Sequence, residues 1–140
     1  MIVTDSSEFL RRHGLRSTAP RHFVMDALAL SGALSPADIA KRIRKKGHSA
    51  GIVTVYRVLA ALESVSLVHR HPAEGLFSLC TLPDQAGHHI LLHCTHCGKI
   101  DETQDSALCR HEDRAAESMG FRADQHLTEL LGTCRSCSRS

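Results

Sequence analysis

Through the first half of the chain apolar side chains recur at helical spacing, and through much of the second they alternate with polar ones. Ser6 or Ser7 can open a first helix that ends near Gly14. Thr18 stands as a cap before Pro20, and Phe23, Ala27 and Leu30 then recur with Val24 and Leu28 beside them, which predicts an amphipathic helix stopping near Gly32. Ser35 caps the next helix. Pro36 takes its first position, Asp38 suits its positive end, Ile39, Ala40 and Ile43 form its apolar side, and Gly47 stops it. A further helix is predicted from about Gly51 to Ser64. At 100° per residue Val55, Val58, Leu59, Leu62 and Val65 fall within one arc of about 120°, with Arg57 on roughly the opposite side. The runs LVHRH and LFSLCTL, separated by Pro72 to Gly75, predict a two-stranded hairpin, and helices followed by such a hairpin make a winged helix.

Around Pro83 to Gly87 the composition changes. HHILLHC and GKIDET then read as strands joined at a cysteine turn, Ser106 to Met119 as a helix stopped by Gly120, and Phe121 to Leu131 as a strand. The expected fold is α+β, with a winged-helix domain over 1–82, a hinge over 83–87 and a small α/β domain over 88–140. Within 140 residues neither domain has a generous core, and such domains often need a metal or a partner subunit.

Charge sharpens the division. Residues 1–72 hold eleven Lys and Arg against five Asp and Glu, whereas residues 73–140 hold six against ten, so a basic front precedes an acidic back. The N-terminal residues lack the apolar stretch of a secretory signal and no run approaches a membrane span, which leads us to expect a cytoplasmic protein. Six Cys in a reducing compartment point to metal binding or thiol chemistry rather than disulfides, and eleven His favour metal.

The segment TVYRVLAAL can bury one side and offer long polar side chains on the other, as a helix lying in a DNA major groove must. Arg57 can fork onto a guanine edge or grip phosphate, Tyr56 can meet phosphate or a thymine methyl, and Thr54 can bond the backbone. Arg16, Arg21 and the basic run 41–46 are natural phosphate contacts, although charge alone also serves solubility. Cys94 and Cys97, then Cys134 and Cys137, form two CxxC pairs joined by 36 intervening residues, and four thiolates make a closed tetrahedral zinc site. A redox dithiol is the rival account, but it needs no second pair. No set of nucleophile, base and orienting group presents itself, so an enzyme is not expected.

RSTAPR, TVYRVLAAL, LVHRH and the two cysteine pairs together resemble the ferric-uptake-regulator family over nearly the whole chain, and specifically its zinc uptake regulator branch. The resemblance implies a homodimeric, zinc-responsive repressor that binds double-stranded palindromic operator DNA before zinc uptake genes. It implies two zinc ions per subunit. One is the structural ion on Cys94, Cys97, Cys134 and Cys137; the other is a regulatory ion on His69, Cys80, His88 and Glu102, matched position by position to the branch's regulatory site. Imidazole, thiolate, imidazole and carboxylate suit zinc chemically, and ligands on both sides of a hinge can converge only at one angle between the domains. Iron and peroxide sensors of the family carry an alternating His motif where Ile90 and Leu91 stand here. An iron- or peroxide-responsive regulator is the alternative, and a thiol oxidoreductase a more distant one. Cys109 and His126 stand where some relatives place a second regulatory site, although Cys109 and Ile90 are not the acidic residues found there, while His93 and His96 are expected to be exposed or to support the thiolates.

Overall fold

The computed structural model describes residues 5–84, 89–124 and 126–139. The chain forms two compact units, Met1–Thr81 and Leu82–Ser140. In the first, α1 (Ser6–Arg12) is capped by Asp5, whose carboxylate accepts from the N–H groups of Ser7 and Glu8. The pattern offered Ser6 or Ser7 for this task. Their hydroxyls instead bond His22, with Ser6 Oγ 2.8 Å from Nδ1, and so tie α1 to the next helix. That helix, α2 (Ala19–Ser31), has Thr18 at its cap position but no side-chain cap, and turns out through Gly32 at a φ of 76°.

The helix α3 (Pro36–Lys45) starts where Ser35 and Pro36 indicate, because Ser35 and Asp38 satisfy each other. Ser35 Oγ accepts from the Asp38 N–H at 3.1 Å and donates to its carboxylate at 2.9 Å. Such a cap contributes roughly 1 kcal/mol. The helix α4 (Ile52–Ser64) buries Val55, Val58, Leu59 and Leu62, the face its periodicity marks. Those side chains join Leu10, Val24, Leu28, Ile39 and Phe77 in one core. The hairpin of β2 (Val68–His71) and β3 (Leu76–Leu79) is antiparallel, and β3 also pairs with β1 (Ala33–Leu34), giving the order β1-β3-β2. At two residues, β1 is too short to leave an alternating signal.

In the second unit β4 (His89–Cys94) is central. It runs antiparallel to β5 (Ile100–Gln104) and parallel to β6 (Leu127–Gly132), with α5 (Ser106–Ser118) connecting the two outer strands. A four-residue helix, α6 (Arg135–Ser138), follows. The strand expected from Phe121 starts only at Leu127. Gly120 is left-handed at φ 68° and the Phe121 N–H returns to the Ala116 carbonyl at 2.9 Å, so Phe121 still closes the helix.

No residue of α5 is buried, and polar contacts tie it to the start of β6. His126 Nδ1 lies 3.0 Å from Glu112 Oε2 and Nε2 lies 2.8 Å from Asp113 Oδ1, while Thr128 donates to Glu112 at 3.0 Å. These acids, Glu112 first, raise the His126 pKa above its ordinary 6.5. A histidine raised on folding stabilises fully below its unfolded pKa, and the contribution fades as pH climbs through the folded value. An NMR titration of the His126 ring is therefore expected to have its midpoint above that of a free histidine, and Glu112→Gln should bring it down. A wild-type midpoint at or below the free value would show that the acids do not hold the ring.

Candidate functional site

The clearest constellation is the group of four sulfurs at one end of the second sheet. Cys94 closes β4, Cys97 follows in the turn to β5, Cys134 caps α6 and Cys137 lies within it. The Thr95 N–H donates to the Gly132 carbonyl at 2.8 Å, which carries the β4–β6 pairing to the cysteine turn, and Gly98 closes that turn onto the Cys94 carbonyl at 2.9 Å. The four Sγ atoms lie within 4.8 Å of one another. Cys97 and Cys134 are 3.8 Å apart, and the vertices of a tetrahedron with metal–sulfur arms of about 2.3 Å are separated by about the same distance. All six cysteines are thiols.

The protons of this group are unevenly held. The Cys94 thiol is pulled down to about 5, first by the backbone N–H of Cys134 and then by that of Cys97. Cys137 is pushed up to about 12, first by its hydrogen bond with Cys134 and then by burial. The group thus favours the thiolate at Cys94 and opposes it at Cys137, and a cation placed among the sulfurs favours the charged form. Cys134 and Cys137 stand at a helix start, as a redox pair does, but Cys94 and Cys97 complete a four-sulfur set that such a pair does not require.

The other expected ligands are found on each unit separately. On the hairpin His69 stands opposite Ser78, and Cys80 follows β3 with its N–H bonded to the Leu67 carbonyl at 2.9 Å. Both side chains are buried, and a ring nitrogen of His69 and the Cys80 sulfur lie within 4.8 Å. On the second unit Glu102 projects from β5 and pairs with His89, whose Nδ1 is 2.5 Å from Oε1. Both of these side chains are buried, at 6% and 2% exposure. His88, the expected ligand at this place, lies outside the described residues. His89, next in sequence to that expected ligand, is the imidazole that the described residues bring to Glu102.

Two more groups were not read in full. His93 is buried rather than exposed, with Nδ1 3.8 Å from Glu129 Oε1 on β6. Cys109 and His126 do come together, with Sγ 3.9 Å from Nδ1. Asp113 joins them in a set able to hold a cation, and Glu112 lies alongside. The signal was the spacing of Cys109, Glu112 and Asp113, which places all three on one side of a helix.

A separate surface lies on the first unit. Thr54, Tyr56 and Arg57 are exposed on α4, opposite its buried face, and Arg16 is exposed just before α2. Arg21 is half-buried and donates to the Arg16 carbonyl at 2.7 Å, bracing that segment. Lys41, Arg42, Arg44, Lys45 and Lys46 are exposed along and just beyond α3, and Arg44 donates to the Ala50 carbonyl at 3.2 Å immediately before α4. An apolar face that docks the helix and a polar face bordered by cations suit an acidic polymer.

The ferric uptake regulator family model matches residues 12–131. The chain is 34% identical over 135 residues to a ferric uptake regulation protein of Legionella pneumophila, covering 95% of this chain and 98% of that protein. It is 34% identical over 134 residues to the ferric uptake regulation protein of Escherichia coli K12, covering 94% and 90%. Among solved structures it superposes on a zinc uptake regulator complexed with zinc and DNA with a TM-score of 0.85, at 28% identity and 94% and 89% coverage. The Vibrio cholerae ferric uptake regulator gives a TM-score of 0.57 at 29% identity, covering 93% of this chain and all of that one, 100%. Proteins of this kind are transcription regulators rather than enzymes, and the chain belongs to the ferric uptake regulator family.

Proposed function

We propose that the chain is a cytoplasmic, zinc-responsive transcriptional repressor that binds palindromic operator DNA as a homodimer when its regulatory zinc is in place, and so controls zinc uptake genes. The observation that carries the choice of metal is the buried thiol of Cys80 beside the imidazole of His69. A thiolate is a soft donor that favours zinc over the oxygen and nitrogen sets suited to harder ions. His89 and Glu102 offer the complementary imidazole and carboxylate. We assign the second imidazole to His89 rather than His88 on the strength of that pairing.

An ion taking donors from both units is satisfied at one mutual angle only, so its binding energy selects that angle, with 83–87 as the hinge between residues 1–82 and 88–140. The four-thiolate ion is structural, because it leaves no coordination position open. Arg57, Tyr56 and Thr54 read DNA from α4, with Arg16, Arg21 and the basic run on phosphates. A second copy covers the exposed apolar side chains of the second unit, among them Leu127, Leu130, Leu131, Met119 and Phe121. Two-fold symmetry of the dimer then requires a two-fold operator. Zinc is supported further by the likeness to the zinc uptake regulator. The naming of the curated relatives as ferric uptake regulation proteins favours iron as the second reading.

Titrating metal-stripped regulatory sites with zinc and with ferrous iron while following operator binding separates the two. Zinc alone is expected to restore binding; restoration by ferrous iron alone would transfer the protein to the iron branch. Elemental analysis should find two zinc ions per wild-type chain and one in Cys80→Ser, which stays folded but no longer tightens on DNA with zinc. His89→Ala is expected to behave likewise and His88→Ala as wild type, and the reverse result would return the ligand to His88. Cys134→Ser is expected to lose the second unit's fold and the dimer together, as seen in circular dichroism and sedimentation. Arg57→Ala should flatten the difference between operator and unrelated DNA by roughly 1–3 kcal/mol while retaining both ions. An unchanged preference would place base reading elsewhere.

A further inference from the structure

The outward face of α4 is not uniformly polar. Val53 is 60% exposed and Ile52 42% exposed, both in the first turn, directly ahead of Tyr56 and Arg57. At about 100° per residue Val53 lies between Tyr56 and Arg57 around the helix, one turn nearer its N-terminus, and Ala60 follows on the same side. The fold gains nothing from this. Val55, Val58, Leu59 and Leu62 already bury the opposite face, and a β-branched residue is a poorer helix former than alanine. Gly51 precedes the helix. It is the N-cap of α4, a position glycine commonly takes, and it leaves the helix without a side-chain cap.

An aliphatic side chain beside Arg57 has one apolar partner on the base edges of the major groove, the C5-methyl of thymine. Recognition helices of this kind present their N-terminal residues to the bases, which is where Val53 stands. We propose that Val53, flanked by Ile52, is a specificity-determining residue that packs on a thymine methyl in each half-site, next to the base pair that Arg57 reads. The inference rests on the reading of α4 as the DNA-contacting helix and adds a residue and a base to it. The cations of α3 attract any duplex, and Arg57 reads its own base pair. Val53 discriminates, because cytosine at that step offers an amino group to an aliphatic surface and deoxyuridine offers nothing.

The test uses the full-length, zinc-loaded chain and a duplex enriched from random DNA by wild-type protein. Each thymine is replaced in turn by deoxyuridine, which deletes one methyl and leaves base pairing intact, and affinities are measured for wild type, Val53→Ala and Val53→Thr. Wild type is expected to lose roughly three- to tenfold at one thymine per half-site. Val53→Ala should bind the thymine duplex more weakly by a similar factor and show no further loss with deoxyuridine at that position. Val53→Thr, which keeps one methyl but sets a hydroxyl beside the base, should discriminate less than wild type. Equal losses for wild type and variants at every thymine overturn the proposal. If Arg57→Ala still weakens binding to the selected duplex in that case, the broader reading of α4 stands and only Val53 is excluded. If wild type selects no sequence, or Arg57→Ala binds as well as wild type, both readings fall. An unchanged or raised unfolding temperature of Val53→Ala establishes that the loss is not one of fold. A change in its self-association without DNA would assign the patch to protein contact and also overturn the proposal.

Discussion

Four sulfur atoms held within 4.8 Å of one another cannot all be thiolates unless positive charge lies among them, and the second unit is arranged around that constraint. The thiols register the conflict: Cys94 is drawn down to about 5 by backbone N–H groups while Cys137 is driven up to about 12 by its neighbours. The β4–β6 pairing brings the first CxxC turn beside the segment leading to α6, and the Thr95 and Cys134 backbone contacts keep them there. A dication relieves the repulsion and joins two distant points of the chain, and for a short domain binding free energy of this sort is folding free energy.

The first unit is under no such constraint. It closes a continuous core from α1 to β3, whereas the second unit has a helix with no buried residue and strands that leave leucines in the open. The difference accounts for the charge asymmetry as well. A unit stabilised by its own packing is free to place cations outward for a polyanion. One that relies on a metal and on a second copy carries the sulfurs, imidazoles and carboxylates that ligation and association require.

How far the sequence discloses this depends on the range of the interaction concerned. Caps and apolar faces are local, so α3 from Ser35–Pro36 and the buried face of α4 follow directly from residue spacing. The cysteine pairs are nearly as legible, since each CxxC is a self-contained turn. Errors arise where a backbone bond redirects a residue whose side chain suits another role. Phe121 alternates well enough for a strand, yet its N–H closes α5. Ser6 and Ser7 suit a cap, yet bond His22 while Asp5 does the capping. That His89 meets Glu102 depends on a strand register that one chain of letters does not print. Glu112 and Asp113 went unread because an acid on a helix is ordinarily a solvated charge, and only the arrival of His126 from outside α5 gives them a task.

A regulator must separate attraction from selection, and α4 does so along its length. On the proposed reading of α4, long-range attraction comes from Arg16 and the lysines and arginines of α3, and it acts alike on every duplex because it reads phosphate. Selection has to come from contacts that vanish within an ångström or two of misfit. The exposed face of α4 supplies these in its first two turns only, with Val53, Tyr56 and Arg57, before shortening to Ala60 and Ser64. A helix that spends its reach at one end can enter a groove end-on, and a small change in the angle at which it is presented then removes every short-range contact at once while leaving the charges close to phosphate.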